Sequence, residues 1–219
     1  MVTGTAYNDI IGSLNKYKSE SLVLFTRNAG KIHELKLLLE GTGFKAVSLN
    51  ELDESITIPE VIEDGVTFAE NALKKARTGA QATGKVVLAD DSGLVVDYLN
   101  GAPGVYSARF AGLEHNDEAN NQKLLQMLKG VPDSLRNAYF CCCIALVTPE
   151  GQEITVEGTC QGIILAEPRG NNGFGYDPLF FSPMFNKTFA QLNDSEKNLI
   201  SHRGMALGQI RQILLSSMV

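Results

Sequence analysis

The residues with the most chemistry to offer stand in the stretch Val86–Gly112. A short apolar run, Val86–Ala89, delivers two adjacent carboxylates, Asp90 and Asp91. Ser92, Gly93 and a second apolar run, Leu94–Val96, follow at once. Buried strands read as near-continuous apolar runs. Carboxylates at the end of one are costly unless they are paired, hydrogen-bonded or bound to a cation. Asp90-Asp91 is therefore either a metal and acid/base site or a hydrogen-bonded turn, the commoner fate of Asp, Ser and Gly. The rest of the sequence decides against the turn. Adjacent strand residues face opposite ways, so only one of the two is expected to carry the central role.

Other motifs bear on the same chemistry. Thr26-Arg27-Asn28-Ala29-Gly30-Lys31 lies between an apolar run and a helical pattern. A strand feeding a helix through a small polar turn makes an anion site, with backbone N–H groups and the helix dipole pointing at it. Thr26 adds a hydroxyl and Lys31 a point charge. A plain turn with an exposed lysine is the commoner meaning of such a segment, and the P-loop pattern is absent. An acidic group, Glu60, Glu63, Asp64, Glu70, Asp90 and Asp91, offers the carboxylates that Mg²⁺ takes beside phosphate oxygens and waters. Of these, Glu63-Asp64 also reads as a solvated turn and Glu70 as a capping residue. Phe174-Gly175-Tyr176-Asp177 is a Gly-flanked aromatic pair, either a platform for a nucleobase or core aromatics beside a turn. Lys197, Ser201, His202 and Arg203 form a donor-rich set suited to keto oxygens or phosphates.

The elements that must position these groups read as an α/β protein. Leu22–Phe25 is a strand, Lys31–Glu40 a helix closed by Gly41, and Lys45–Leu49 the next strand. Thr67 opens a capping box with Glu70, and its helix runs to about Ala82, ended by Gly84. Asp117 is expected to cap a helix through Leu124, Leu125 and Leu128. Ala138–Thr148 and Glu153–Leu165 read as a hairpin, so the sheet is mixed. One helix is expected from about Ser195 to Leu215. Residues 1–20 read as an extension outside the core, and residues 21–219 as one domain with two lobes and a cleft between them.

The totals exclude several functions. The chain has 219 residues and a net charge of -6, so no global basic field attracts nucleic acid. Its longest apolar run, Ala138–Val147, is too short to span a bilayer. No secretory pattern opens the chain, so the cytoplasm is the expected location. Of the four cysteines, Cys141, Cys142 and Cys143 are consecutive and cannot converge on one metal, since strand neighbours alternate faces. They read as buried reduced thiols.

Taken in order, the motifs resemble one family, the non-standard purine nucleoside triphosphate pyrophosphatases, also called inosine triphosphate pyrophosphatases. The resemblance rests on Thr26-x-Asn28-x-Gly30-Lys31 with Glu34, Gly65-x-Thr67-Phe68-x-Glu70-Asn71-Ala72 with Lys75-Ala76, and Ala89-Asp90-Asp91-Ser92-Gly93-Leu94. It continues through Gly101-Ala102-Pro103-Gly104-Val105-Tyr106-Ser107-Ala108-Arg109, Gly173-Phe174-Gly175-Tyr176-Asp177-Pro178, Glu196-Lys197-Asn198 and Ser201-His202-Arg203. It covers the chain from about Leu22 onward. Arg27 stands where family members often carry Gly.

The resemblance implies an elongated mixed α/β fold with two lobes around a central nucleotide-binding cleft, and a homodimer. It implies Mg²⁺-dependent hydrolysis of ITP, dITP and XTP to the monophosphate and pyrophosphate. Asp91 matches the proton acceptor and a metal ligand, and Glu63 the second acidic ligand, with Glu60 as the alternative. Thr26, Arg27, Asn28, Ala29, Gly30, Lys31, Ser92, Phe174, Gly175, Tyr176, Asp177, Lys197, His202 and Arg203 match substrate contacts. Lys31 and Lys197 are expected to hold the phosphates, and His202 and Arg203 the 6-keto oxygen of the base. A pyrimidine-directed pyrophosphatase would carry a Ser-x-Ser-Pro-Arg-Arg-like loop in place of Thr26–Lys31. A regulator that binds without cleaving would not need the acidic set.

Overall fold

Val87–Val96 runs as one unbroken strand (β3) straight through the acidic pair. The second apolar run, Leu94–Val96, thus continues the strand that the first begins. Side chains on both of its faces are buried, and a strand covered on both sides need not break where its polar residues find partners. The computed structural model describes residues 4–17, 20–112 and 116–217. Beside β3 stand β1 (Ser21–Leu24), β2 (Lys45–Ser48), β4 (Asn137–Val147), β5 (Glu153–Ile164), β6 (Phe180–Ser182) and β7 (Lys187–Thr188). Their order in the sheet is β2-β1-β3-β4-β5-β6-β7.

β1 is parallel to β2 and to β3, with Val23 opposite both Val47 and Val87. β6 is antiparallel to β5 and to β7. Residues 148–152 link the neighbours β4 and β5, and the Gly151 N–H donates to the Thr148 carbonyl there. So short a link joins only antiparallel strands, because a parallel pair needs a crossover of about a dozen residues. The sheet is mixed, as the strand–helix units followed by a hairpin predict. No helix among the described residues is long and apolar enough to cross a membrane.

The chain forms two compact units. The first comprises Met1–Asp91, Cys143–Glu157 and Ala206–Val219. Its helices include α1 (Gly4–Leu14), α2 (Ala29–Leu39) and α3 (Phe68–Thr83). Asn28 caps α2 by accepting the Lys31 N–H at 3.0 Å. Thr67 and Glu70 form the capping box of α3, and Gly84 closes it in a left-handed conformation. Ala72, Ala76 and Ala80 recur at helical spacing and pack with Val23, Phe25, Val87 and Ala89. Small side chains on that stripe let α3 lie close to the strands.

The N-terminal segment does not stay outside the core. Residues 1–3 and 18–19 of it lie outside the described residues. Within α1, Ile10 and Leu14 are fully buried, and Ser13 Oγ donates to Gln152 Oε1 at 3.1 Å. A polar, weakly patterned stretch hides this role, because two apolar contacts and one hydrogen bond suffice to seat a short helix.

The second unit comprises Ser92–Cys142 and Gly158–Met205. Leu94, Val96, Leu124, Leu128, Phe140, Phe180 and Phe189 belong to its core. The Phe140 and Phe180 rings lie 4.5 Å apart, and Phe180 meets Phe189 edge-on at 4.8 Å. Its helix α4 (Asp117–Met127) is capped by Asn116, not by Asp117, which instead takes the first helical position. Two helices stand where one was expected at the C-terminus, α5 (Asp194–Ile200) and α6 (His202–Ser216). Ser201 separates them with an extended backbone, and its Oγ accepts the Gly204 N–H at 3.0 Å, capping the second helix. The apolar periodicity continues across this break and conceals it.

Cys141, Cys142, Cys143 and Cys160 are buried and form no disulfide, as expected. Burial pushes the Cys143 thiol up to about 12. The placement of α1 sets a test. Leu14→Ala is expected to cost about 2–5 kcal/mol, as for a buried leucine, measured by urea unfolding. No change would return the segment to the outside of the core.

Candidate active site

Within each unit some of the expected residues meet. In the first unit, β3 presents Asp90 and Asp91 to opposite faces, and each meets a different lysine. Asp90 is 1% exposed, and its Oδ2 lies 2.9 Å from Lys31 Nζ. Lys31 sits in the first turn of α2, where a helix leaves N–H groups without partners of its own. The turn before it is ordered by its side chains: Thr26 Oγ1 accepts the Asn28 N–H at 3.2 Å. Arg27 is exposed on that turn.

Asp91 is 7% exposed. Its Oδ2 accepts from Asn71 Nδ2 at 3.0 Å, and its Oδ1 lies 3.4 Å from Lys75 Nζ. Lys75 Nζ also reaches Glu63 Oε2 at 3.0 Å. Burial raises the Asp91 carboxyl above the usual carboxylate range, more than the Lys75 and Lys31 charges lower it. Burial acts on Glu63 in the same sense, but Lys75 and Lys31 outweigh it and hold that carboxyl low. Burial disfavours the Lys75 ammonium, yet Asp91, Glu63 and Asp90 together raise its proton affinity. Environments that push neighbouring carboxyls apart divide their roles: the more basic one suits proton transfer and the other remains a fixed negative charge.

The other acidic residues lie apart from this group. Asp64 is exposed and pairs with Lys74 at 2.6 Å. Glu70 serves the capping box, and Glu60 is exposed. Glu63, not Glu60, is the upstream carboxylate that the fold brings to Asp91. No group of three His, Cys, Asp or Glu among the described residues could hold a metal by itself. Two neighbouring carboxylates that already share an ammonium fit Mg²⁺, which takes one or two carboxylates and completes its shell with phosphate oxygens and water.

In the second unit, Phe174, Asp177, Lys197 and Arg203 converge. Lys197 Nζ lies 2.8 Å from Asp177 Oδ2 and 4.8 Å from the centre of the Phe174 ring. The Arg203 guanidinium lies 5.7 Å from the same ring, and its Nη2 donates to Ser92 Oγ at 2.9 Å. Asp177 Oδ2 also accepts the Phe174 N–H. Gly173 has a positive φ of 76°, and a Cβ there would fall 2.0 Å from Asp177 Oδ2, so only glycine fits. His202 is buried and stacks on Phe140 at 4.7 Å.

One expectation changes here. Of the aromatic pair, only Phe174 is half-exposed. Tyr176 is buried, and its hydroxyl donates to the Ser107 carbonyl at 2.8 Å, so its ring is a strut and no platform. Lys197 was expected among the phosphate contacts. Its ammonium meets Asp177 and the Phe174 face, just as the ammonium of Lys31, the other expected phosphate contact, meets Asp90.

Four residues that shape these groups carry no site role in the sequence reading, although Asn71 and Lys75 stand in its motifs and Asp117 among its caps. Asn71 and Lys75 stand four apart on α3 and both reach Asp91. Their signal was a buried helix face carrying polar residues. Asp117 and Asn121 hold the platform loop: Gly175 donates its N–H to Asp117 Oδ2 at 2.7 Å, and its carbonyl accepts from Asn121 Nδ2 at 2.8 Å. No local pattern announces a clamp that reaches so far along the chain.

The mixed α/β fold thus carries a lysine-bridged carboxylate pair in its first unit and a cation-faced aromatic ring in its second. The Ham1 family model matches residues 22–213, and the chain belongs to that family. It is 54% identical over 193 residues to the dITP/XTP pyrophosphatase of Desulforamulus reducens, covering 88% of this chain and 94% of that one. It is 52% identical to the dITP/XTP pyrophosphatase of Geobacter sulfurreducens, covering 88% and 96%. Among solved structures, a HAM1 protein from Coxiella burnetii superposes with a TM-score of 0.80 at 43% identity, covering 89% of this chain and 98% of that one.

The Asp177–Lys197 pair is buried on both sides, with side-chain exposures of 5% and 8%. Removing one partner strands the other charge. Asp177→Ala is expected to cost about 3–5 kcal/mol of stability, read by urea unfolding. An unchanged midpoint would mean that Lys197 finds its compensation elsewhere.

Proposed function

We propose that the chain hydrolyses non-standard purine nucleoside triphosphates, ITP, dITP and XTP, to the monophosphate and pyrophosphate. The observation that carries this reading is the meeting of the Asp91 and Glu63 carboxylates at one ammonium, Lys75 Nζ lying 3.4 Å from Asp91 Oδ1 and 3.0 Å from Glu63 Oε2. The names of the relatives supply the substrate class. Asp91 accepts a proton from a water molecule that attacks the α-phosphorus. The bond from the α-phosphorus to the α–β bridging oxygen breaks, and pyrophosphate departs with the bonding pair. Glu63 and Asp91 would hold Mg²⁺, which neutralises charge on the phosphate oxygens. Lys31 and the first turn of α2 take phosphate charge, and Asp90 keeps the Lys31 ammonium in place.

Phe174 offers its face to the purine. His202 and Arg203 are donors, and the 6-keto oxygen of hypoxanthine or xanthine is an acceptor. Adenine presents an amine at that position and leaves those donors unmatched. Lys197 and Asp177 position the Phe174 platform. We assign the protein, on its family resemblance, to a homodimer.

Asp91→Asn keeps the shape and removes the charge, so turnover of ITP is expected to vanish while the fold persists by circular dichroism. The wild-type products are expected to be IMP and pyrophosphate. Release of orthophosphate with IDP would refute attack at the α-phosphorus.

Specificity separates the two groups of residues. Arg203→Ala is expected to lower the ITP-over-ATP ratio of kcat/KM by about 10–100-fold, the worth of one hydrogen bond involving a charged group at about 1.5–3 kcal/mol, and His202→Ala to lower it in the same direction. Lys31→Ala is expected to slow both substrates alike, since both carry the same phosphates. The opposite pattern would exchange the base and phosphate assignments.

A further inference from the structure

Asn71 is fully buried in the first turn of α3, and the mechanism above makes no use of it. Its amide bonds in two directions. Oδ1 accepts the Gly65 backbone N–H at 2.8 Å, and Nδ2 donates to Asp91 Oδ2 at 3.0 Å. The first bond dictates the second. A backbone N–H only donates, so the amide atom facing Gly65 must be oxygen. The amide nitrogen then faces Asp91 and can only donate, which holds Asp91 Oδ2 as an acceptor. The other oxygen, Oδ1, faces Lys75, which in turn reaches Glu63. Gly65 closes the ring of contacts: a Cβ there would fall 2.6 Å from Asn71 Oδ1. Glu63, Gly65, Asn71, Asp91 and Lys75 thus form one circuit.

We propose that Asn71 is a positioning residue that divides the labour between the two oxygens of Asp91. Oδ2 is the anchored oxygen, and Oδ1 is the one presented toward Glu63 for metal and water. A carboxylate alone rotates broadly about its last bond with twofold preference, so its oxygens interchange. The Asn71 amide breaks that symmetry. Through the Gly65 N–H, the same amide ties the turn that bears Glu63 to Asp91. This inference rests on Asp91 as the proton acceptor.

The experiment compares Asn71→Ala, Asn71→Ser and Asp91→Asn in the full chain. It reads kcat and KM for ITP, melting temperature, and Mn²⁺ binding by electron paramagnetic resonance with the uncleavable α,β-methylene-ITP. Asn71→Ala is expected to lower kcat and Mn²⁺ affinity by about 10–100-fold, the range for a group that orients a metal ligand, with KM little changed. Asn71→Ser retains a small polar side chain unable to span both partners. It is expected to move the same quantities in the same direction, and it carries the test if the alanine variant does not fold. A folded variant with wild-type kcat and Mn²⁺ affinity overturns the inference. So does one that loses only melting temperature, because the amide would then be purely structural. Asp91→Asn with wild-type turnover would refute the proton-acceptor reading itself. An inactive Asp91→Asn beside a fully active Asn71→Ala would refute the Asn71 inference alone.

Discussion

Asp91 keeps its carboxylate inside a covered strand because an ammonium and an amide reach it there. An ion taken from water into a protein interior loses several kcal/mol of hydration, which only a good partner geometry returns. The strand makes this demand twice, since Asp90 is buried beside it and turns to the other face. One lysine must therefore arrive from each side. Lys31 comes from the start of α2 and Lys75 from the interior of α3. Much of the first unit can be read as the means of delivering those two ammonium groups.

α3 shows how the delivery works. Its buried positions form two adjacent stripes, Ala72, Ala76 and Ala80 in one and Asn71 and Lys75 in the other. The alanines let the helix backbone settle close to the strands, and that closeness brings the polar stripe to Asp91. Larger apolar residues would lift the helix and withdraw the lysine. Packing and electrostatics are here a single design. The second unit repeats the principle with other residues. Lys197 is fixed by Asp177, and the aromatic face of Phe174 meets a cation held from behind by a carboxylate. Both groups are built from charges that hold one another, Lys31 with Asp90, Lys75 with Asp91 and Glu63, and Lys197 with Asp177.

Most of the strands and helices were legible because their signals are local. Thr67 and Glu70 announce the start of α3, and apolar runs mark β1, β3 and β4. The failures were equally physical. The acidic pair resembles a break in β3 only until its ionic partners are seen, and those lie about 60 and 15 residues away along the chain, beyond the reach of local pattern reading. Ser201 interrupts the C-terminal helix without interrupting its periodicity. α1 contributes two buried side chains from a stretch whose composition is that of a tail. Sequence order could not say that Tyr176 points into the core or that Lys197 belongs with Phe174. Those facts depend on which of several possible partners a long side chain finds first in space.

The four buried thiols lend the molecule a use of their own. Cys143 falls within the first unit, whereas Cys141, Cys142 and Cys160 fall within the second. A thiol both hidden and held protonated, as Cys143 is with its pKa pushed up to about 12, hardly meets an alkylating reagent until the backbone around it opens. Each unit therefore carries its own unmodified reporter. The order in which the cysteines become labelled under mild denaturant, read by mass spectrometry, would tell which half of the chain comes apart first, with no foreign probe introduced.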